Sequence, residues 1–159
     1  MATQQFCTFR AGGELFGVEV ERVQEVINYQ QMTPIPYSSA LRGLINLRGQ
    51  IIVAIDLRTR LRMEERPSGY APMNVVLRGD DGAVSLLVDE ICDVVNVTEK
   101  TFEAVPVTMS TAFKEIISGV HKLDGDLMLV LDAQHAINVG IEMPEANSAG
   151  PALSPKEAN

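Results

Sequence analysis

Among its 159 residues the chain has two histidines, two cysteines and no tryptophan, and aromatic residues make up 5%. So little histidine leaves scant material for acid–base or metal chemistry near neutral pH. Cys7 and Cys92 form neither a metal-ligand spacing nor a disulfide framework. No uninterrupted apolar run exceeds five residues, and a membrane-spanning helix needs about 20. Residues 1–5 carry neither a basic region nor an apolar run, so no secretory signal is expected there. Positive charge is in deficit: 13 Lys and Arg stand against 21 Asp and Glu, a formal net charge of -8. That balance argues against phosphate backbones and anionic lipid as main partners. The motifs G-x-S-x-G, G-x-G-x-x-G and the P-loop are all missing. The expectation is a cytoplasmic protein that is not an enzyme, with no catalytic residues, no metal and no cofactor.

What the chain does have is a repeat, with enough apolar residues (46%) to build a core around it. Residues 43–57 align without a gap on 119–133, at an offset of 76, and both copies read as strand, X-Gly turn, strand, aspartate. An X-Gly pair between two apolar runs is a hairpin signal, because Gly tolerates positive φ. Upstream, 6–27 lies over 74–95 at an offset of 68. Self-similarity at long period means a structural unit used twice. The prediction is an all-β protein of two five-stranded barrel lobes, near 4–61 and 73–139, related by an internal two-fold, with a few short helices. Strands are expected near 5–10, 13–18, 26–34, 43–48 and 50–56, then near 73–78, 83–88, 94–98, 117–124 and 126–131. Val20, Val23, Val26 and Ile27 have helical spacing, echoed by Val88, Ile91, Val94 and Val95; residues 133–139 suggest a final helical turn. Residues 62–72, rich in proline and charge, read as a surface crossing, and 140–159 as a disordered tail.

The candidates for chemistry have ordinary alternatives. His121 takes the place of Ile45 in the repeat, which favours packing over ligation. His135 reads as a surface residue, and Asp124-Gly125-Asp126 as a turn. Asp56 and Asp132 are equivalent, as in an aspartic-protease dyad, but no small hydroxyl residue and glycine follow them; strand-end aspartates are ordinary helix caps. The tip residue Arg48 matches Asp124 in the repeat, and Asn46 matches Lys122, so the fold does not dictate the charge. Arg48 is therefore either a solvated turn residue or a contact residue whose planar fork suits a partner's carboxylates, with Glu25 as a possible ion-pair partner.

The segment Asn46-Leu47-Arg48-Gly49, followed by 52–58, resembles the hallmark of the chemotaxis coupling protein (CheW) family. Residues 16–20, Val23-Gln24-Glu25-Val26, 87–91 and 119–133 resemble its other motifs, so the likeness covers roughly 4–139. It implies SH3-like barrels sharing a core, no catalytic activity, and an adaptor recruited to membrane-associated receptor arrays. The implied partners are the cytoplasmic tip of methyl-accepting chemoreceptors and the regulatory domain of a CheA-type histidine kinase. On this resemblance Glu25, Asn46, Arg48 and Gly49 face the receptor, Val23, Val26, Val94 and Val97 line or border a groove for a receptor helix, and Gly43 lies toward the kinase. Arrays controlling pilus motility or surface sensing use such proteins as well.

Overall fold

A computed structural model describes residues 2–35 and 41–138. The first half contributes β1 (Gln4–Ala11), β2 (Glu14–Glu19), β3 (Val23–Ile27), β4 (Thr33–Pro34), β5 (Leu41–Leu47), β6 (Gln50–Asp56) and helix α1 (Leu57–Arg60). The second half contributes β7 (Met73–Gly79), β8 (Gly82–Val88), β9 (Glu90–Val97), β10 (Phe102–Glu103), α2 (Thr111–Ile116), β11 (Ile117–Leu123), β12 (Asp126–Leu131) and α3 (Ala133–Ile137). Both repeated hairpins form: Leu47 pairs with Gln50, and Leu123 with Asp126. Val139 and the tail at 140–159 lie outside the described residues.

The strands make two sheets, in the orders β10-β11-β12-β2-β1-β9 and β3-β7-β8-β6-β5-β4. Each has six strands: the single strand expected near 26–34 is split into β3 and the two-residue edge strand β4, and β10 is an edge strand that was not expected. The sheets also cut across the lobe boundaries expected at 4–61 and 73–139. The β1–β2 hairpin joins the second half's strands, and the β7–β8 hairpin joins the first half's, through parallel pairs β12·β2 and β6·β8. The burial of these hairpins explains the exchange. Phe6 and Leu15 face a small core with Val97, Met128 and Val130, while Cys7, Phe9, Phe16 and Val18 face a large shared core. A strand apolar on both faces needs cover on both, and the small core on one side and the shared core on the other supply it. Ile45, Leu47, Ile52, Ala54, Val76 and Leu87 fill the other small core. The result is an all-β fold of two curled, SH3-like lobes around a common interior.

The helical spacing at 20–27 and 88–95 is overturned. Residues 20–22 form a single 3-10 turn, and β-branched strands follow in both places. The i, i+3 recurrence comes from a one-residue bulge in each edge strand. Val23 and Val26 stand opposite Leu77 and Val75, while Ile91 and Val94 stand opposite Phe9 and Cys7. A bulge sets two residues against one and shifts the alternation, so positions three apart share a side.

Candidate partner-binding interface

The β5–β6 tip is built from Asn46 outward. Arg48 (φ 52°) and Gly49 (φ 87°) are both left-handed, a backbone that twists with the strands but costs a non-glycine residue roughly 1 kcal/mol. Asn46 offsets this locally, its Oδ1 accepting the Gly49 N–H at 2.9 Å. Arg48 stands 68% exposed and forms an ion pair with Glu25 of β3. In the sheet order β7 and β8 lie between β3 and the β5–β6 hairpin, so the pair bridges the curl of the lobe. The other tip differs. Gly125 is left-handed (φ 78°) while Asp124 is not. Lys122, in place of Asn46, pairs with Glu103 at 2.5 Å. Asp126 receives Arg10 at 2.5 Å, which holds its carboxyl below the usual range.

Apolar residues line the edge strands β3 and β9. Val23 and Ile91 pack against the shared core, and their neighbours Val26 (37%) and Val94 (54%) are exposed. Each pair sits on an edge strand of its sheet, on the side of the shared core, at equivalent places in the repeat. Val97, grouped with these valines in the resemblance, is instead buried in the small core with Phe6, Met128 and Val130. Gly43 is also buried. A Cβ there would meet the Thr33 carbonyl oxygen at 2.5 Å, because β4 lies directly over it. The exposed surface at this place belongs to Thr33 and Pro34.

The candidates for chemistry occupy structural positions. Asp56 caps α1, accepting the Arg58 N–H at 3.0 Å, and is buried against Arg66 (3.1 Å) and Arg42 (3.3 Å). Asp132 caps α3; burial works to raise its carboxyl, but the His135 backbone N–H and ring outweigh this and hold it low. His121 is buried, bonded to Thr101 at 2.8 Å and set between the rings of Phe6 and Phe102. That burial pushes its pKa down. His135 is exposed and contacts Asp132 at 3.0 Å, a partner not expected from the sequence.

One constellation was missed by sequence reasoning. Asp89, at the β8–β9 junction, receives Arg58 (2.6 Å), Arg66 (2.8 Å) and the Gly12 N–H (2.8 Å). Burial would raise this carboxyl, but Arg58, Gly12 and Arg66 together hold it below its ordinary range. Asp89 thus ties the β1–β2 turn of one sheet to the α1 helix and the 62–72 crossing that follow the other. The signal was its alignment on Glu21, but partners 31 and 23 residues away obey no local spacing. Among the described residues no group of three or more His, Cys, Asp or Glu is placed to hold a metal, and no helix is long and apolar enough to cross a membrane.

The fold is thus two curled sheets about a shared core, with a charged hairpin tip on one sheet and exposed valines on the edge strands β3 and β9. The sequence model of the CheW-like domain matches residues 5–139, and the chain belongs to that family. The chemotaxis protein CheW of Treponema pallidum is 32% identical over 133 residues, covering 80% of this chain and 78% of that protein. The CheW of Thermotoga maritima is 30% identical, covering 82% and 85%. The crystal structure of the scaffolding protein TtCheW from Thermoanaerobacter tengcongensis superimposes with a TM-score of 0.77 at 25% identity, covering 87% of this chain and 95% of that one.

Proposed function

We propose that this chain is a non-enzymatic adaptor that couples methyl-accepting chemoreceptors to a CheA-type histidine kinase in bacterial chemotaxis. Family membership across 5–139 is the observation that carries this reading. The names of the relatives, chemotaxis proteins and a scaffolding protein, support it. On this reading Glu25, Asn46, Arg48 and Gly49 form the polar part of a receptor-facing surface. Val23, Val26 and Val94 form its apolar part. A receptor helix would lay its i, i+3, i+4, i+7 face along the valines, in the helix-in-groove mode. The kinase regulatory domain would dock on the face around Gly43, through exposed Thr33 and Pro34. Two surfaces on one small body suit a cytoplasmic scaffold whose avidity depends on array geometry.

Co-sedimentation tests this. The protein should pellet with membranes containing receptor, and more strongly when kinase is added. Equal pelleting with receptor-free membranes, or none in any mixture, contradicts the reading.

A further inference from the structure

The shared core is open beside the end of α3. Ile51, Val53 and Ile55 alternate onto one face of β6, and burial fades outward along it. Ile55 is fully buried, Val53 is partly buried, and Ile51 is 61% exposed. A groove of about 250 Å³ is lined there by Ile51, Val53, Val84, Ile137, Asn138 and the β7–β8 turn. It is smaller than small-ligand sites, about 300–1,000 Å³, and suits a few apolar side chains. Its walls are tied together. The Gln134 Oε1 of α3 accepts the Asp80 N–H of the turn at 3.1 Å, and a Cβ on Gly79 would stand 2.7 Å from Ile137.

The first half shows how the equivalent opening is closed. The chain leaving α1 passes Leu61, as buried as Ile137, and sets Met63 on the shared core. Met63 lies against the β1–β2 turn, where a Cβ on Gly12 would meet its sulfur at 2.9 Å. Gly12 matches Asp80 at the offset of 68, and Leu61 and Met63 match Ile137 and Val139 at the offset of 76. The described residues end at Asn138, on the groove itself. Val139-Gly140-Ile141-Glu142-Met143-Pro144 follows, with Val139, Ile141 and Met143 two apart and a proline after them. Such alternation gives an extended segment one apolar face.

We propose that this groove is the docking site of the chain's own segment 139–143. Val139 takes the place beside the β7–β8 turn that Met63 takes beside β1–β2, and Ile141 and Met143 continue along Ile51. Glu142, of the other parity, faces away from the acidic turn residues Asp80 and Asp81. Compared with a separate peptide or a second copy, this segment starts on the groove, and a short tether gives a local concentration in the millimolar range. Docking departs from the sequence expectation of disorder from residue 140. It also makes Ile51 part of the closure of the core and removes it from the surface open to partners. The proposal stands without the receptor and kinase surfaces described above.

The test is NMR of the intact chain with labelled Ile, Val and Met methyl groups. The expected result is a set of NOEs from the Val139 and Ile141 methyls to Ile51 and Ile137, unchanged on dilution of the protein. Ile51→Ala should move the Ile141 methyl toward its random-coil position. Leu127→Ala, at the equivalent position of β12, should leave it in place. Both residues are more than half exposed (61% and 56%), so the fold is spared. Ile141→Asp should in turn shift the Ile51 methyl. Random-coil shifts at 139–143 with no NOE to the groove overturn the proposal. NOEs seen only between differently labelled copies in a mixed sample overturn it as well, because a second copy then fills the groove.

Discussion

The two hairpin tips occupy the same place in the repeat, and their polar residues serve different ends. Around the 124–125 tip the flanking charges are paired within the molecule, Lys122 with Glu103 and Asp126 with Arg10, while Asp124 itself, the counterpart of Arg48, makes no ion pair among the described residues. At 48–49 Asn46 is spent on the turn itself, and Arg48 is held out by a strained backbone with Glu25 beside it. The junctions before β3 and β9 contrast in the same way, since Glu21 is exposed whereas Asp89 gathers two arginines and a backbone N–H. The repeat accounts for the common scaffold, and the two halves differ in which polar residues they pair: the first exposes Arg48 beside Glu25, and the second brings Asp89 onto Arg58, Arg66 and Gly12.

Exchanging charges between the halves breaks this comparison most sharply at the junction. Asp89→Asn should lower the urea midpoint more than any other change considered, by leaving Arg58 without its carboxylate and Arg66 with Asp56 alone; Glu21→Gln should leave it unchanged. The pH dependence has a definite sign. The folded carboxyl of Asp89 lies below its unfolded value of about 3.9, so its contribution is complete above that pH and is lost as pH falls through the folded value. Midpoints measured from pH 6 down to 2 should converge between wild type and Asp89→Asn at the acid end. Parallel curves would mean that the junction is not held by charge.

The equivalent glycines come next. Gly43→Ala drives a Cβ into the backbone carbonyl of Thr33, whereas Gly119→Ala meets mainly the partly exposed ring of Phe102, which can swing aside. Costs of about 2 and about 1 kcal/mol are expected, within the range for overpacking. The reverse order in urea unfolding would show that β4 yields more easily than Phe102. Smaller still is the turn clip. Asn46→Lys should cost about 1 kcal/mol, the worth of one hydrogen bond, while Lys122→Asn should stay within about 0.5 kcal/mol as a surface change. Equal effects would remove the contrast between the tips.

Much of this was legible in the chain. Both hairpins followed from X-Gly pairs, and capping by Asp56 and Asp132 followed from their place at strand ends. The valines at 23, 26, 91 and 94 were visible as a pattern, but a bulged strand and a helical turn both put residues three apart on one side, and the bulge needs the partner strand to reveal it. Exchange of the first hairpins was hidden for a related reason. A repeat shows which segments are alike and leaves open which of two like segments a hairpin pairs with. The Asp89 cluster depends on that exchange, since Gly12 and Arg58 meet there only after the sheets have formed.

The central claim, that the Arg48 tip is kept for a partner, rests on one substitution measured two ways. Arg48→Asp suits the backbone, because Asp tolerates the left-handed region better than most residues, and the urea midpoint should move by no more than about 0.5 kcal/mol. It also sets two carboxylates against each other where Arg48 now meets Glu25. Pull-downs of the folded variant should show receptor-fragment binding weakened about tenfold or more, with binding to the kinase regulatory domain within about twofold of wild type. Equal loss with both partners, or no loss with either, would contradict the account.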